Sequence, residues 1–247
     1  MPKPRPIPPK IADAPAAAQV ELPSLFRDGS EELAFDPAKA VRALSRKDPV
    51  LGRAIKLVGP FAMRCSALHS PFQALASSIV HQQLSGKAAQ TILGRVVALH
   101  APLPFPRPED VVGTSDERLR AAGLSRGKTL ALKDLAARTI EGALPTLNEL
   151  HLLPTETIVE RLTMVRGIGR WTVEMLLMFR LGRPDVLPST DLGVRKGFAR
   201  AMGLAELPTP GELLLHGELW RPWRTVASWY LWRVCELPPE FLPPLTS

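Results

Sequence analysis

Leu162-Thr163-Met164-Val165-Arg166-Gly167-Ile168-Gly169-Arg170-Trp171-Thr172 is the stretch on which the fold turns. Helical patterning over 156–165 runs into a G-x-G turn, and a second helical pattern starts at once at Arg170. Gly167 and Gly169 allow positive φ and close backbone approach, leaving amide N–H groups that point outward at the N-terminus of the new helix. Such a hairpin can cradle a phosphate. Ile168 is expected to pack inward and pin the turn, while Arg166, Arg170 and the Thr172 hydroxyl add donors to the same anion. A G-x-G also joins packed helices that bind nothing, so the flanking segments must decide between the two readings.

Outward from the hairpin, helix signals repeat. Asp36-Pro37, Asp48-Pro49 and Ser70-Pro71 each pair a capping residue with a proline at the first helical position. Further helices fit 86–100, 115–121, 128–141, 170–181, 192–202, 211–219 and 222–235, and no alternating run rich in Val, Ile and Thr competes with them. The fold class is all-α. The stretch 71–187 is continuous and contains the two helices and hairpin at about 156–181. The flanking 25–70 and 188–247 are expected to join as a second helical lobe, with a cleft between the two. Residues 1–24 are rich in Pro and Ala with scattered basic residues. They read as a disordered arm, since they cannot bury enough apolar surface to offset ordering entropy.

Lys and Arg number 31 against 24 Asp and Glu in 247 residues, a net charge of +7 that biases the partner toward a polyanion. A hydrophobic content of 45% excludes wholesale disorder, and collagen, coiled-coil and mucin compositions are excluded as well. Cys65 and Cys235 are too far apart for a C-x-x-C or Cys/His pair, which excludes a structural zinc site or a four-cysteine iron–sulfur cluster. No metal site is expected. The longest stretch without a charged residue, 65–86, carries Ser, His and Gln throughout and includes Pro71, so no membrane span is expected. Prolines near the N-terminus break any signal-like apolar run, and a cytoplasmic location follows as the expectation.

Downstream of the hairpin lies Ser189-Thr190-Asp191-Leu192-Gly193-Val194-Arg195-Lys196; upstream lies Ile79-Val80-His81-Gln82-Gln83-Leu84-Ser85. With Trp220-Arg221-Pro222-Trp223-Arg224 and Trp229-Tyr230-Leu231-Trp232 added, the chain resembles the helix-hairpin-helix superfamily of DNA base-excision glycosylases. The likeness is nearest to its alkylated-base branch, the 3-methyladenine DNA glycosylase II type, and covers roughly 72–232. It implies a monomeric enzyme that flips cationic purines such as 3-methyladenine and 7-methylguanine out of double-stranded DNA and hydrolyses their N-glycosidic bonds. No organic cofactor is implied; a monovalent cation on the hairpin carbonyls is compatible with it. The alternatives are a glycosylase for oxidised or mismatched bases and a non-catalytic DNA-gripping module.

The resemblance also assigns roles. Asp191 becomes the catalytic carboxylate, which suits the chemistry because breaking the bond builds oxocarbenium charge on the sugar. A cap at Ser189 or Thr190 would place Asp191 in the first helical turn. Trp171 and Trp223 match positions lining the base pocket, where indole faces attract a cationic purine; Trp229 and Trp232 are expected in the core. Gln82, Gln83 and Leu84 are the candidates for the wedge that fills the hole left by the flipped base, with Gln83 or Leu84 preferred. His81 is expected to be a helix-end residue, Asp185 a surface one, and Lys196 to face phosphate. Arg126 and Lys128 either touch phosphate or are solvated. The lyase branch places a nucleophilic lysine where this chain has Trp171, so no strand cleavage is expected. The short arm leaves no room for the N-terminal β domain of some relatives.

Overall fold

The structure, a computed structural model, describes residues 33, 35–66, 68 and 70–241. The arm expected over 1–24 lies outside the described residues. Among those residues the regular structure is helical, with no β-strand, and no helix is long and apolar enough to cross a membrane. The three residue–proline pairs start α1 (Pro37–Lys47), α2 (Pro49–Val58) and α3 (Pro71–His81). Asp36, Asp48 and Ser70 accept first-turn N–H groups in each case. Ser85 caps α4 (Gly86–Ala98). Next come α5 (Pro108–Gly113), α6 (Asp116–Ala121), capped by Ser115, and α7 (Arg126–Ile140), capped by Ser125. Then follow α8 (Leu147–Leu152), α9 (Thr155–Thr163), α10 (Arg170–Phe179), α11 (Leu192–Met202) and α12 (Pro210–Gly217), a short 3-10 turn, and α13 (Arg224–Val234). Sequence patterning missed α5 and α8, each six residues long, although the Thr146–Glu149 capping box marks the start of α8 as Ser115 marks that of the equally short α6.

Helices α1 and α2 pack against α11 and α13 from the other end of the chain, whereas α3, α5 and α6 gather on α7 and α9 packs on α10. One continuous apolar core runs through both groups, from Leu44 and Leu51 through Ile79 and Leu135 to Phe179 and Leu231. Buried Asp48 ties the chain ends: besides capping α2, its Oδ2 accepts the Trp220 indole N–H at 2.9 Å and meets His216 Nε2 at 2.8 Å. Burial opposes a charge there, yet the His216, Leu51 and Trp220 hydrogen bonds hold the carboxyl below its ordinary range.

The tightest helix approach is α13 on α11. A Cβ at Gly197 would stand 1.9 Å from the Leu231 carbonyl oxygen, and one at Gly193 2.8 Å from Cδ1 of the Trp232 indole. Residues four apart share a helix face, so this glycine pair brings α13 onto the backbone of α11 and sets Trp232 beside the N-terminus of that helix.

Candidate active site

The hairpin joins α9 to α10. Gly167 has φ +78°, and a Cβ there would meet the Ala131 side chain at 3.3 Å, so this position favours glycine. Gly169 differs from the expectation: its φ of −95° suits any residue. Nothing lies within 4 Å of where its Cβ would be, so its lack of a side chain leaves open space before the backbone. Gly169 is the N-cap of α10 and brings no side-chain acceptor, so the first N–H groups of α10 can serve an anion. Ile168 is buried and pins the turn, as its spacing predicts. On the other side Asp134 of α7 accepts the Arg166 N–H at 2.8 Å.

The Arg166 side chain is exposed and Thr172 is half-buried. The Arg170 guanidinium, expected on phosphate, is engaged by Glu156 in a bidentate pair and lies 3.7 Å from Glu174. Its side chain thus braces α10 against α9, and its backbone N–H is what it offers an anion. For a cation at the hairpin, the Val165 carbonyl accepts the Ile168 N–H and the Gly167 carbonyl accepts the Gln82 amide. Two of the hairpin's oxygens already have donors.

Asp191 is itself the N-cap of α11, not a first-turn residue, because its Oδ1 accepts the Val194 N–H at 2.8 Å. The same oxygen accepts the Trp232 indole N–H at 2.8 Å, and Oδ2 accepts the Trp171 indole N–H at 2.8 Å. Three neutral donors therefore fix the carboxylate in place. Capping alone would use one oxygen; the second is aimed at Trp171, which is 43% exposed and so stands at an open rim.

Trp232 corrects the sequence reading. Expected in the core, it is half-buried, stacked on Phe179 at 5.9 Å, and spends its N–H on Asp191. Its partner in that expectation, Trp229, is buried. Trp223 is half-buried against Phe35 at 5.6 Å, and no hydrogen bond or ring contact among the described residues joins it to Asp191 or Trp171. Asp185 is not a free surface acid: it pairs with Arg221 and Arg224 and anchors the start of α13. His81 ends α3 as expected, buried, with Nδ1 on the Ser77 carbonyl at 2.9 Å.

The proposed wedge loop joins α3 to α4. Gln83 and Leu84 are exposed, and Gln83 has φ +57°, the one non-glycine residue with positive φ among those described. Gln82 points elsewhere, donating its amide to the Gly167 carbonyl at 2.8 Å. The structure thus separates the three candidates: one ties the loop to the hairpin and two are presented outward.

Glu174 escaped the sequence reading. It lies one turn beyond Trp171 on α10, only 4% exposed, and its Oε2 has no hydrogen-bond partner. Burial pushes its carboxyl up to about 7, against the pull of Arg170 and with the added repulsion of Glu156 and Asp191. An acid raised in the folded state keeps its proton where the unfolded chain has lost it. Its stabilising contribution is therefore present below the ordinary value of 4.5 and is lost as pH rises through about 7. Glu174→Gln is expected to remove up to about 3 kcal/mol of that pH-dependent loss, read from urea unfolding at about pH 5 and about pH 8. A variant with the parent's full pH slope would contradict this.

Helix, hairpin, helix and a carboxylate at the next helix start define a class of protein. Residues 76–222 match the family described as HhH-GPD superfamily base excision DNA repair protein, and the chain belongs to it. It is 40% identical over 208 residues to DNA-3-methyladenine glycosylase 1 of Schizosaccharomyces pombe, across 84% of this chain and 91% of the relative. The solved structure of S. pombe Mag1 in complex with abasic DNA matches with a TM-score of 0.70 at 40% identity, over 85% of this chain and 100% of that one. DNA-3-methyladenine glycosidase from Bacillus halodurans matches with a TM-score of 0.71 at 38% identity, over 82% and 90% of the two chains.

Proposed function

We propose that this protein is a monofunctional DNA glycosylase of base excision repair. It acts as a cytoplasmic monomer that removes alkylated, cationic purines such as 3-methyladenine and 7-methylguanine from duplex DNA. The observation that carries the reading is Asp191, a carboxylate held by two indole N–H groups and one backbone N–H beside an exposed tryptophan and next to an anion-ready hairpin. The central lobe, 71–187, brings the hairpin, Trp171 and the wedge loop. The second lobe, expected over 25–70 and 188–247 and described only within 33–70 and 188–241, brings Asp191, Trp232 and Trp223.

The chemistry follows from these placements. The hairpin and the first turn of α10 grip backbone phosphate without reading sequence. Gln83 or Leu84 enters the stack as the damaged base leaves it. The Trp171 face meets a purine whose positive charge it attracts, with Trp223 assigned to the pocket on the family resemblance alone. The C1′–N bond breaks with its electron pair moving to the base, which departs neutral. Charge then builds on the sugar, where the Asp191 carboxylate stabilises it. Water adds to C1′ and releases a proton to solvent. Trp171 offers no amine, so no Schiff base forms and the strand stays whole.

Substrate charge is the test. Single-turnover excision is expected to favour 3-methyladenine and 7-methylguanine over hypoxanthine, and Trp171→Ala to narrow that gap by about 0.5–2 kcal/mol. Preference for the neutral base, or a larger Trp171→Ala loss on hypoxanthine, contradicts the assignment.

A further inference from the structure

We propose that Lys128 is the positioning residue of the wedge loop, setting how efficiently the protein opens a paired duplex; this rests on the base-flipping reading above. Lys128 sits in the first turn of α7, capped by Ser125. There it is half-buried, with its ammonium committed to protein carbonyls rather than left free for phosphate. Its Nζ donates to the Val80 carbonyl at 2.7 Å and to the Gln82 carbonyl at 2.6 Å, both at the C-terminal end of α3.

Two features set this placement apart from ordinary packing. A cation in the first turn of α7 opposes that helix's own dipole, and burial pushes the Lys128 ammonium below its usual range. What offsets these costs lies at the other helix: the last carbonyls of α3 lack intrahelical donors, and a cation there complements the negative end of its dipole. The other feature is the loop itself. Gln83 holds φ +57°, a conformation of about 1–3 kcal/mol that persists only where surroundings impose it. The residue before it is clamped twice: Lys128 takes its carbonyl, and its own side chain is tied to Gly167 of the hairpin. Between this clamp and the Ser85 cap of α4, Gln83 and Leu84 project exposed. Lys128 thus fixes the wedge against α3, and Gln82 makes the wedge and the phosphate-gripping hairpin one mechanical unit.

The experiment compares two substrates in single turnover: 7-methylguanine paired with cytosine, and the same lesion opposite an abasic site, where no base pair resists extrusion. Lys128→Met is expected to lose about tenfold or more on the paired duplex, stay within about threefold of the parent on the pre-opened one, and bind undamaged duplex with similar affinity. Lys128→Arg, which can still donate to two carbonyls, is expected to recover part of the paired-duplex rate. Equal losses on both substrates, or none on the paired one, overturn the proposal. Should Lys128→Met fail to fold, Lys128→Gln carries the same comparison. Parent protein that releases no base from either substrate sinks the glycosylase reading itself, a result distinct from failure of the Lys128 variants alone.

Discussion

Asp191→Asn is expected to lower single-turnover base release by about 10² or more, while affinity for duplex DNA changes by less than about threefold. In the proposed mechanism the carboxylate meets the sugar's charge chiefly in the transition state, so its loss is expected to fall on the chemical step rather than on binding. The substitution also turns an acceptor oxygen into an NH₂ group. Both Asp191 oxygens accept hydrogen bonds, so the NH₂ group must face either the Trp171 donor or both the Trp232 and Val194 donors. Release kinetics on methylated duplex, with binding to an abasic duplex measured in parallel, separate the two effects. More than about a tenth of parental activity would place the catalytic charge elsewhere.

The largest effect on folding is expected at Gly197. Its Cβ would stand 1.9 Å from a backbone oxygen of α13, and backbone cannot swing aside as a flexible side chain would. Gly197→Ala must push α13 away from α11, with a cost of about 3 kcal/mol or more. Trp232 moves with α13, so variant molecules that do fold should also excise slowly. Gly94, inside α4 with nothing near its would-be Cβ, is the control. Gly94→Ala is expected to be neutral or to stabilise by up to about 1 kcal/mol. Urea midpoints decide between them, and similar values for the two variants would contradict the close packing of α11 and α13.

The parts of this molecule written in local sequence were legible in advance. Asp36-Pro37, Asp48-Pro49 and Ser70-Pro71 each combine a side-chain acceptor with a preset φ, and each starts a helix. Ile168 between its glycines is buried for the same local reason. What stayed hidden depends on groups that only the fold brings together. Trp232 lies 41 residues from the carboxylate it holds. Its aromatic surface alone suggested core, but Gly193 and Gly197 on one face of α11 were a readable sign that another helix would press there. Arg170 looked like a phosphate ligand until Glu156, two turns upstream of the hairpin on α9, claimed its guanidinium. The Asp191 cap shifted because a carboxylate can itself reach the third N–H of the helix, making Ser189 and Thr190 unnecessary for that task. Lys128 could not be placed from sequence, since both its acceptors are backbone carbonyls some 46 to 48 positions away.

The central claim is hydrolytic removal of a cationic base without attack by an enzyme amine. The most direct measurement follows a strand-labelled duplex with one 7-methylguanine through reaction with the purified protein, with and without borohydride. Free 7-methylguanine should appear with the labelled strand at full length, cut at the lesion only after later treatment with base or heat. Borohydride should trap no protein–DNA adduct, because the position of the lyase nucleophile is Trp171. Strand cleavage concurrent with base release, or a trapped covalent complex, would contradict the account.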